Sequence, residues 1–206
     1  MTKSIYGDKP EPQKVQQQEE QLDLTKDKYA EIFHSMDIDD GIIYMVGEIG
    51  EYSFYDLATR CRTILRERPT EKEGQPITIV LNSSGGCMFE MFAIIDYIKS
   101  LKVKVNVIVR GQAMSAGAMI LACATGSRIC SKYSTIMLHE ASIGQYGKSS
   151  DIQASAKQYK KMEDDCLTLL AESSKKDIDW WRENTRKDLF ISADEAIELG
   201  IIDAIG

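Results

Sequence analysis

Positive charge, long apolar runs and paired cysteines are all scarce in this sequence, and each shortage removes a class of protein. Lys and Arg number 25 against 32 Asp and Glu, a formal net charge of -7 over 206 residues. Nucleic acid is therefore not expected as a main partner, because phosphate binding needs clustered Lys and Arg. No apolar run approaches the ~20 residues of a membrane span, and the chain does not open on a basic segment followed by an apolar stretch. No membrane partner is expected, and the cytoplasm is the expected location. The five cysteines (Cys61, Cys87, Cys123, Cys130 and Cys166) contain no C-x-x-C pair, and the only histidines are His34 and His139. No zinc site, other metal or cofactor is expected. All five cysteines have apolar neighbours and read as small buried hydrophobes, with a catalytic cysteine the less favoured reading. No G-x-x-x-x-G-K-[ST] loop occurs, so the chain is not expected to hydrolyse ATP itself.

What is present is the composition of an ordinary globular protein, 43% hydrophobic and 28% charged, with a length suited to one domain. Residues 1–27 are rich in Gln, Glu, Lys and Pro, and cannot bury enough apolar surface to offset their ordering entropy. They read as a polar, mobile tail with a helical piece near Val15–Leu24, ahead of a folded domain over 28–206. His34, close to that tail, reads as a surface residue. From Gly41 onward, strand and helix patterns alternate. Ile42–Val46 is a continuous apolar run, as expected of a strand buried on both faces. A helix over Ser53–Arg66 carries Leu57, Cys61 and Leu65 at i, i+4, i+8. Then come a strand Ile77–Leu81, a turn at Ser83–Gly86, and an apolar helix Met88–Lys99. Val103, Val105, Val107 and Val109 alternate as a strand, which leads to a small, apolar helix Ser115–Ala124. A short strand Ile136–Leu138 ends on His139. Alternation of this kind predicts parallel pairing and an α/β fold.

The last third reads as helical. Over Asp151–Ser173, Ile152, Tyr159 and Cys166 recur every seven residues, interleaved with Ser155, Met162 and Leu169. This predicts a narrow apolar seam packed on a partner helix or on the domain itself. Ser192 with Glu195 forms a capping box, and Gly200 is a helix C-cap. No internal repeat is visible.

Two residues draw attention as chemistry. His139 ends an apolar strand, where a side chain projects from a sheet edge, and histidine is the commonest general base near neutral pH. Ser115 stands at a strand-to-helix junction among Ala113, Ala116, Gly117 and Ala118, small neighbours that leave room for a substrate. N–H groups at a helix start are unsatisfied and can stabilise an oxyanion. Ala113–Gly117 resembles the G-x-S-x-G elbow but departs from it at its first position. Gly85–Gly86 forms a second turn where backbone can approach closely. A carboxylate should orient the imidazole, but Asp151, Asp164, Asp165, Asp177, Asp179, Asp188 and Asp194 all follow His139 and spacing selects none. Asp188 stands out mildly, since it precedes the apolar run Leu189–Ile191 and is expected to be partly buried.

Four segments together, Asn82–Gly86, Gly111–Ala118, Ile136–His139 and Lys187–Ala193 (with Glu195, Ala196 and Gly200), resemble the Clp protease proteolytic subunit in order and spacing, over about Gly41 to Ala204. The resemblance implies Ser115 as nucleophile, His139 as base, Asp188 as orienting carboxylate, and the backbone N–H groups of Gly86 and Ala116 as oxyanion hole. It implies a crotonase-like α/β spiral of strand–strand–helix units with a protruding handle helix, to which Gly144–Gly147 and the seam helix from Asp151 correspond. It also implies self-assembly into stacked seven-membered rings, unfolded polypeptide substrates, and a Clp-type AAA+ unfoldase partner. The family usually has proline at Ser84, Ser-Met-Gly at Ser115–Gly117 and Gln-Pro at Glu140–Ala141. Its aromatic ATPase-docking residues are replaced here by Thr78, Val80 and Ser100, which weakens the expectation of that partner. A non-catalytic ring subunit, a crotonase-type acyl-CoA enzyme and a Ser–Lys peptidase are the competing readings.

Overall fold

The computed structural model describes residues 37–142 and 144–206. The polar tail expected over residues 1–27, its helical piece at Val15–Leu24, and His34 lie outside the described residues. The rest is a mixed α/β fold around a seven-stranded, mostly parallel sheet. Strands β1 (Ile42–Ile49), β2 (Ile77–Gly86) and β3 (Val105–Met114) pair in parallel, and β4 (Arg128–Cys130) and β7 (Ala204–Ile205) continue beyond β3. Strand β5 (Thr135–Leu138) pairs in parallel with β3 and antiparallel with β6 (Leu189–Ile191). Helices α1 (Ser53–Glu67) and α2 (Met88–Ser100) form the crossovers, and α3 (Ala116–Ala122) follows β3. The chain ends with α4 (Ser149–Glu172), α5 (Ile178–Asn184) and α6 (Ala193–Leu199) around β6.

The patterns explain why these elements form. Val105, Val107 and Val109 are fully buried, the period-two alternation of a strand with one face in the core. Val103 lies before that strand rather than in it. In α2, Met91, Ile94, Ile95 and Ile98 are buried at helical spacing. Helix α6 has the expected capping box between Ser192 and Glu195, and Gly200 closes it at φ 76°.

Three expectations need correction. β1 is not buried on both faces. Ile43 and Ile49 are inside, but Tyr44 and Val46 are 50% and 68% exposed. Its only strand partner among the described residues is β2, so it stands at a sheet edge. In α1 the buried stripe is Leu57, Cys61 and Ile64, while Leu65 is exposed. At 3.6 residues per turn the i+7 position lies about 20° from position i, but i+8 lies about 80° away. Finally, not every cysteine is buried. Cys87 is exposed, because it sits in the turn between β2 and α2 rather than on either element's inner face.

Two features position the site. β3 forks: Val107–Val109 pairs with β4, whereas Gln112–Met114 pairs with β5. Gly111 marks the fork at φ 97°. The buried Ser134 hydroxyl bridges the divide, accepting from Gly111 N–H at 2.8 Å and donating to Val109 C=O at 3.3 Å. The C-terminal ends of β2, β3 and β5 thus converge, the edge where parallel α/β sheets bind ligands. The second feature is α4, 24 residues and so about 36 Å long. Its carboxyl-terminal half packs onto the domain through Met162, Leu167 and Leu170, whereas residues 149–154 and Tyr146 before them are exposed. Of the seam Ile152, Ser155, Tyr159, Met162, Cys166 and Leu169, Met162 alone is buried within the chain.

Candidate active site

Ser115 takes up the turn between β3 and α3 with φ 50° and ψ -116°. A non-glycine residue in such a conformation carries about 1–3 kcal/mol of strain, and persists only where the surroundings enforce it. Here they do. Ser115 N–H donates to Met137 C=O at 2.7 Å, tying the turn to β5, and every residue of α3 is buried. The small residues Ala116, Gly117 and Ala118 let that helix start deep in the core. Its first amide, on Ala116, has no partner within the helix.

His139 follows β5 directly, and its Nε2 lies 3.0 Å from Ser115 Oγ. The β3–β5 pairing of Met114 with Met137 sets this approach. Asp188 reaches the other side of the ring, with Oδ1 3.6 Å from His139 Nδ1. Its position follows from the antiparallel β5–β6 register: Leu138 pairs with Leu189, so the next residue on β5 faces the preceding one on β6. A second tie, from Glu140 N–H to Thr185 C=O at 2.6 Å, holds the same two segments together. The expectation that Asp188 is partly buried is not met, since its side chain is 59% exposed against 27% for His139. β6 has only three residues and no strand on its outer side among those described, so nothing covers the residue that enters it. The other aspartates following His139 do not pair with it: Asp177 caps α5, Asp179 bonds Arg182, and Asp164 faces Lys160 and Arg182.

The expected turn at Ser83–Gly86 is instead the last part of β2, with Glu48 opposite Gly85 and Ile49 opposite Gly86 on β1, and this glycine segment comes to the same place. Ser83 on β2 pairs with Ala113 on β3, which lays Gly85 beside Ser115. A Cβ on Gly85 would lie 2.6 Å from Met114 O, 2.8 Å from Ser115 Cβ and 3.2 Å from Ala116 N. A Cβ on Gly86 would collide with Ile49 O. Both glycines have positive φ, 90° and 146°, so steric fit and backbone conformation each demand glycine. The amides of Gly86 and Ala116 therefore belong to the end of β2 and the start of α3, which lie in direct contact around Ser115.

A small cleft, partly open to solvent, extends from Ser115 and His139. Its inner lining is Met91, Met119, Leu138, Leu167 and Leu170, all buried. Glu140, Glu163 and Cys166 also line it. The α4 contribution went unforeseen in the sequence, although Glu163, Cys166, Leu167 and Leu170 stand at i, i+3, i+4, i+7 on one helix face. Burial pushes the Cys166 thiol up to about 12, which keeps it protonated and a poor nucleophile. Among the described residues, no three His, Cys, Asp or Glu side chains are grouped to hold a metal ion.

Comparison with protein families gives the arrangement its context. A Clp protease family model matches residues 19–206. The chain belongs to the Clp protease family. The match begins some twenty residues ahead of Gly41, where the motif resemblance starts. Membership agrees with the mixed α/β architecture and supports a ClpP-like peptidase. Members of the family generally form rings of their own subunits.

Proposed function

We propose that this chain is the serine endopeptidase subunit of a self-compartmentalising protease that cleaves unfolded polypeptides. The observation that carries the reading is the 3.0 Å contact between Ser115 Oγ and His139 Nε2, made at a strained turn against a glycine pair. His139 takes the Ser115 proton as the hydroxyl attacks the scissile carbonyl, and later delivers it to the leaving amine. Asp188 stabilises the imidazolium. The developing oxyanion is received by the N–H groups of Gly86 and Ala116. Water then repeats the sequence on the acyl-enzyme. The apolar inner lining of the cleft, rich in methionine and leucine, suits a flexible apolar side chain next to the cleaved bond.

Rings of this subunit would enclose the sites, and the exposed start of α4, residues 149–154 with Ile152, is the surface we assign to ring–ring contact. ATP would be used by a separate unfoldase, in the cytoplasm. Among the described residues lining the cleft there is no lysine, which leaves a Ser–Lys mechanism without its base. A fluorophosphonate probe followed by peptide mapping tests the reading. Modification of Ser115 that disappears in His139→Ala is the expected result. An assembled, folded protein that takes up no probe would overturn it.

A further inference from the structure

We propose that Ser83 is a positioning residue that holds the Gly85–Gly86 pair at a fixed spacing from the nucleophile, a role that rests on the peptidase reading above. Ser83 is fully buried, the most deeply placed of the three buried polar residues among those described. A buried hydroxyl without a partner is costly, so its bond is informative. Ser83 Oγ accepts a hydrogen bond from Gly85 N–H at 3.1 Å. This is a local side-chain-to-backbone bond of the kind that fixes turns.

The need for such a bond follows from the glycine pair itself. Two successive glycines at positive φ are backbone with wide conformational freedom unless something outside them fixes their conformation. On the β1 side the pair is in register with that strand, Glu48 opposite Gly85 and Ile49 opposite Gly86, and Cys87 N–H donates to Ile49 C=O at 2.7 Å. Within β2 itself the side-chain bond to the glycine pair comes from Ser83. Ser83 also touches the other half of the site, because a Cβ on Gly117 would lie 3.3 Å from Ser83 Cβ. One buried side chain thus bonds the glycine pair and packs on the helix start carrying Ala116. Oxyanion donors act only when both lie within about 2.7–3.1 Å of the developing charge. The spacing between the two segments is therefore a catalytic quantity, and Ser83 sets it without touching substrate.

The test uses the full-length, assembled protein, a fluorogenic peptide with leucine before the cleaved bond, and the rate of fluorophosphonate labelling at Ser115. Losing a whole oxyanion donor costs ~10²–10³ in kcat, so mispositioning in Ser83→Ala is expected to lower kcat by about 10- to 100-fold. The labelling rate should fall in step, with KM within about threefold. Ser83→Thr, which keeps the acceptor oxygen, should restore most of kcat. Ser83→Ala with wild-type kcat, or with a loss confined to KM, overturns the proposal. Should Ser83→Ala fail to fold, hydrogen exchange at the Gly85 amide of the unaltered chain decides. Protection comparable to the β2 core supports the bond, and exchange at the rate of an open loop overturns it. A wild-type protein that neither labels nor cleaves would instead remove the peptidase reading, and this role with it.

Discussion

The two ends of the Ser115–His139–Asp188 line are built in different ways. Ser115 is held by main chain on every side: β3 before it, a buried helix after it, Met137 C=O on its amide, and Gly85 against its Cβ. Asp188 enters a three-residue strand at the margin of the fold, with a 59% exposed side chain and a 3.6 Å approach to the imidazole. That distance exceeds a well-formed N–H···O bond. The nucleophile and its glycine pair are thus fixed by the core, whereas the carboxylate depends on a small amount of antiparallel pairing. The lesson is that the parts of one site need not share one stability. The half that makes and breaks bonds can be rigid while the half that orients the base remains adjustable.

The strongest way to probe that contrast is at the rigid end. Ser115→Ala is expected to reduce peptide hydrolysis by at least about 10⁴-fold. Ser115→Gly should be equally inactive but more stable, by about 1 kcal/mol, because glycine relieves the positive-φ strain. Chemical denaturation of both variants checks this. A Ser115→Gly protein less stable than Ser115→Ala would break the claim of stored strain. Next in size, Gly85→Ala should lower kcat by about 10²- to 10³-fold and also lower stability, since the added carbon must displace Met114 C=O or the Ser115 side chain. Steady-state kinetics and a melting curve on the same sample separate the two effects.

At the adjustable end, Asp188→Asn is expected to cost about 10²-fold in kcat, less than the ~10⁴ typical of a fully engaged carboxylate. An effect as large as that of Ser115→Ala would erase the distinction between the ends and imply that Asp188 closes on His139 during turnover. The smallest expected effect lies away from both. Arg128 contacts Asp203 at 2.6 Å and its hydrogen bond holds the Asp203 carboxyl below the usual aspartate range. A depressed pKa contributes stability above the unfolded value of ~3.9, lost as pH falls through the folded value. Asp203→Asn should therefore lower the unfolding free energy at neutral pH by about 1 kcal/mol or less, given that the carboxylate is half exposed. The gap from the unaltered protein should close below about pH 4, which denaturation at a series of pH values will reveal.

Much of the architecture was legible because local periodicity reports burial directly. Val105, Val107 and Val109 of β3, the apolar face of α2, and the capping box and Gly200 of α6 stand where their spacing indicated, while Val103 falls before the strand. Legibility failed where a neighbour decides exposure. The apolar run of β1 could not tell that it would lie at a sheet edge, and the short strands β4, β6 and β7, of two or three residues each, carry too little pattern to be seen. Ser115 and His139 were visible through their settings, a small-residue junction and the end of an apolar strand. Asp188 was singled out only by its apolar neighbours and by resemblance to the family motif. Met91, Met119, Leu167 and Leu170 were not singled out, because apolar residues at helical spacing mark a buried face without telling core from cleft lining.

The sequence by itself determined that a strand breaks into a helix at Ser115 and that a glycine pair ends another strand. It did so because small residues and glycine restrict or release backbone conformation within a few residues of themselves. Only the tertiary structure decided which aspartate faces His139. The residues between them span two helices, and their meeting depends on the antiparallel register of β5 with β6, where Leu138 opposite Leu189 brings His139 and Asp188 together. Backbone conformation is a short-range property, and pairing across the sheet is a long-range one.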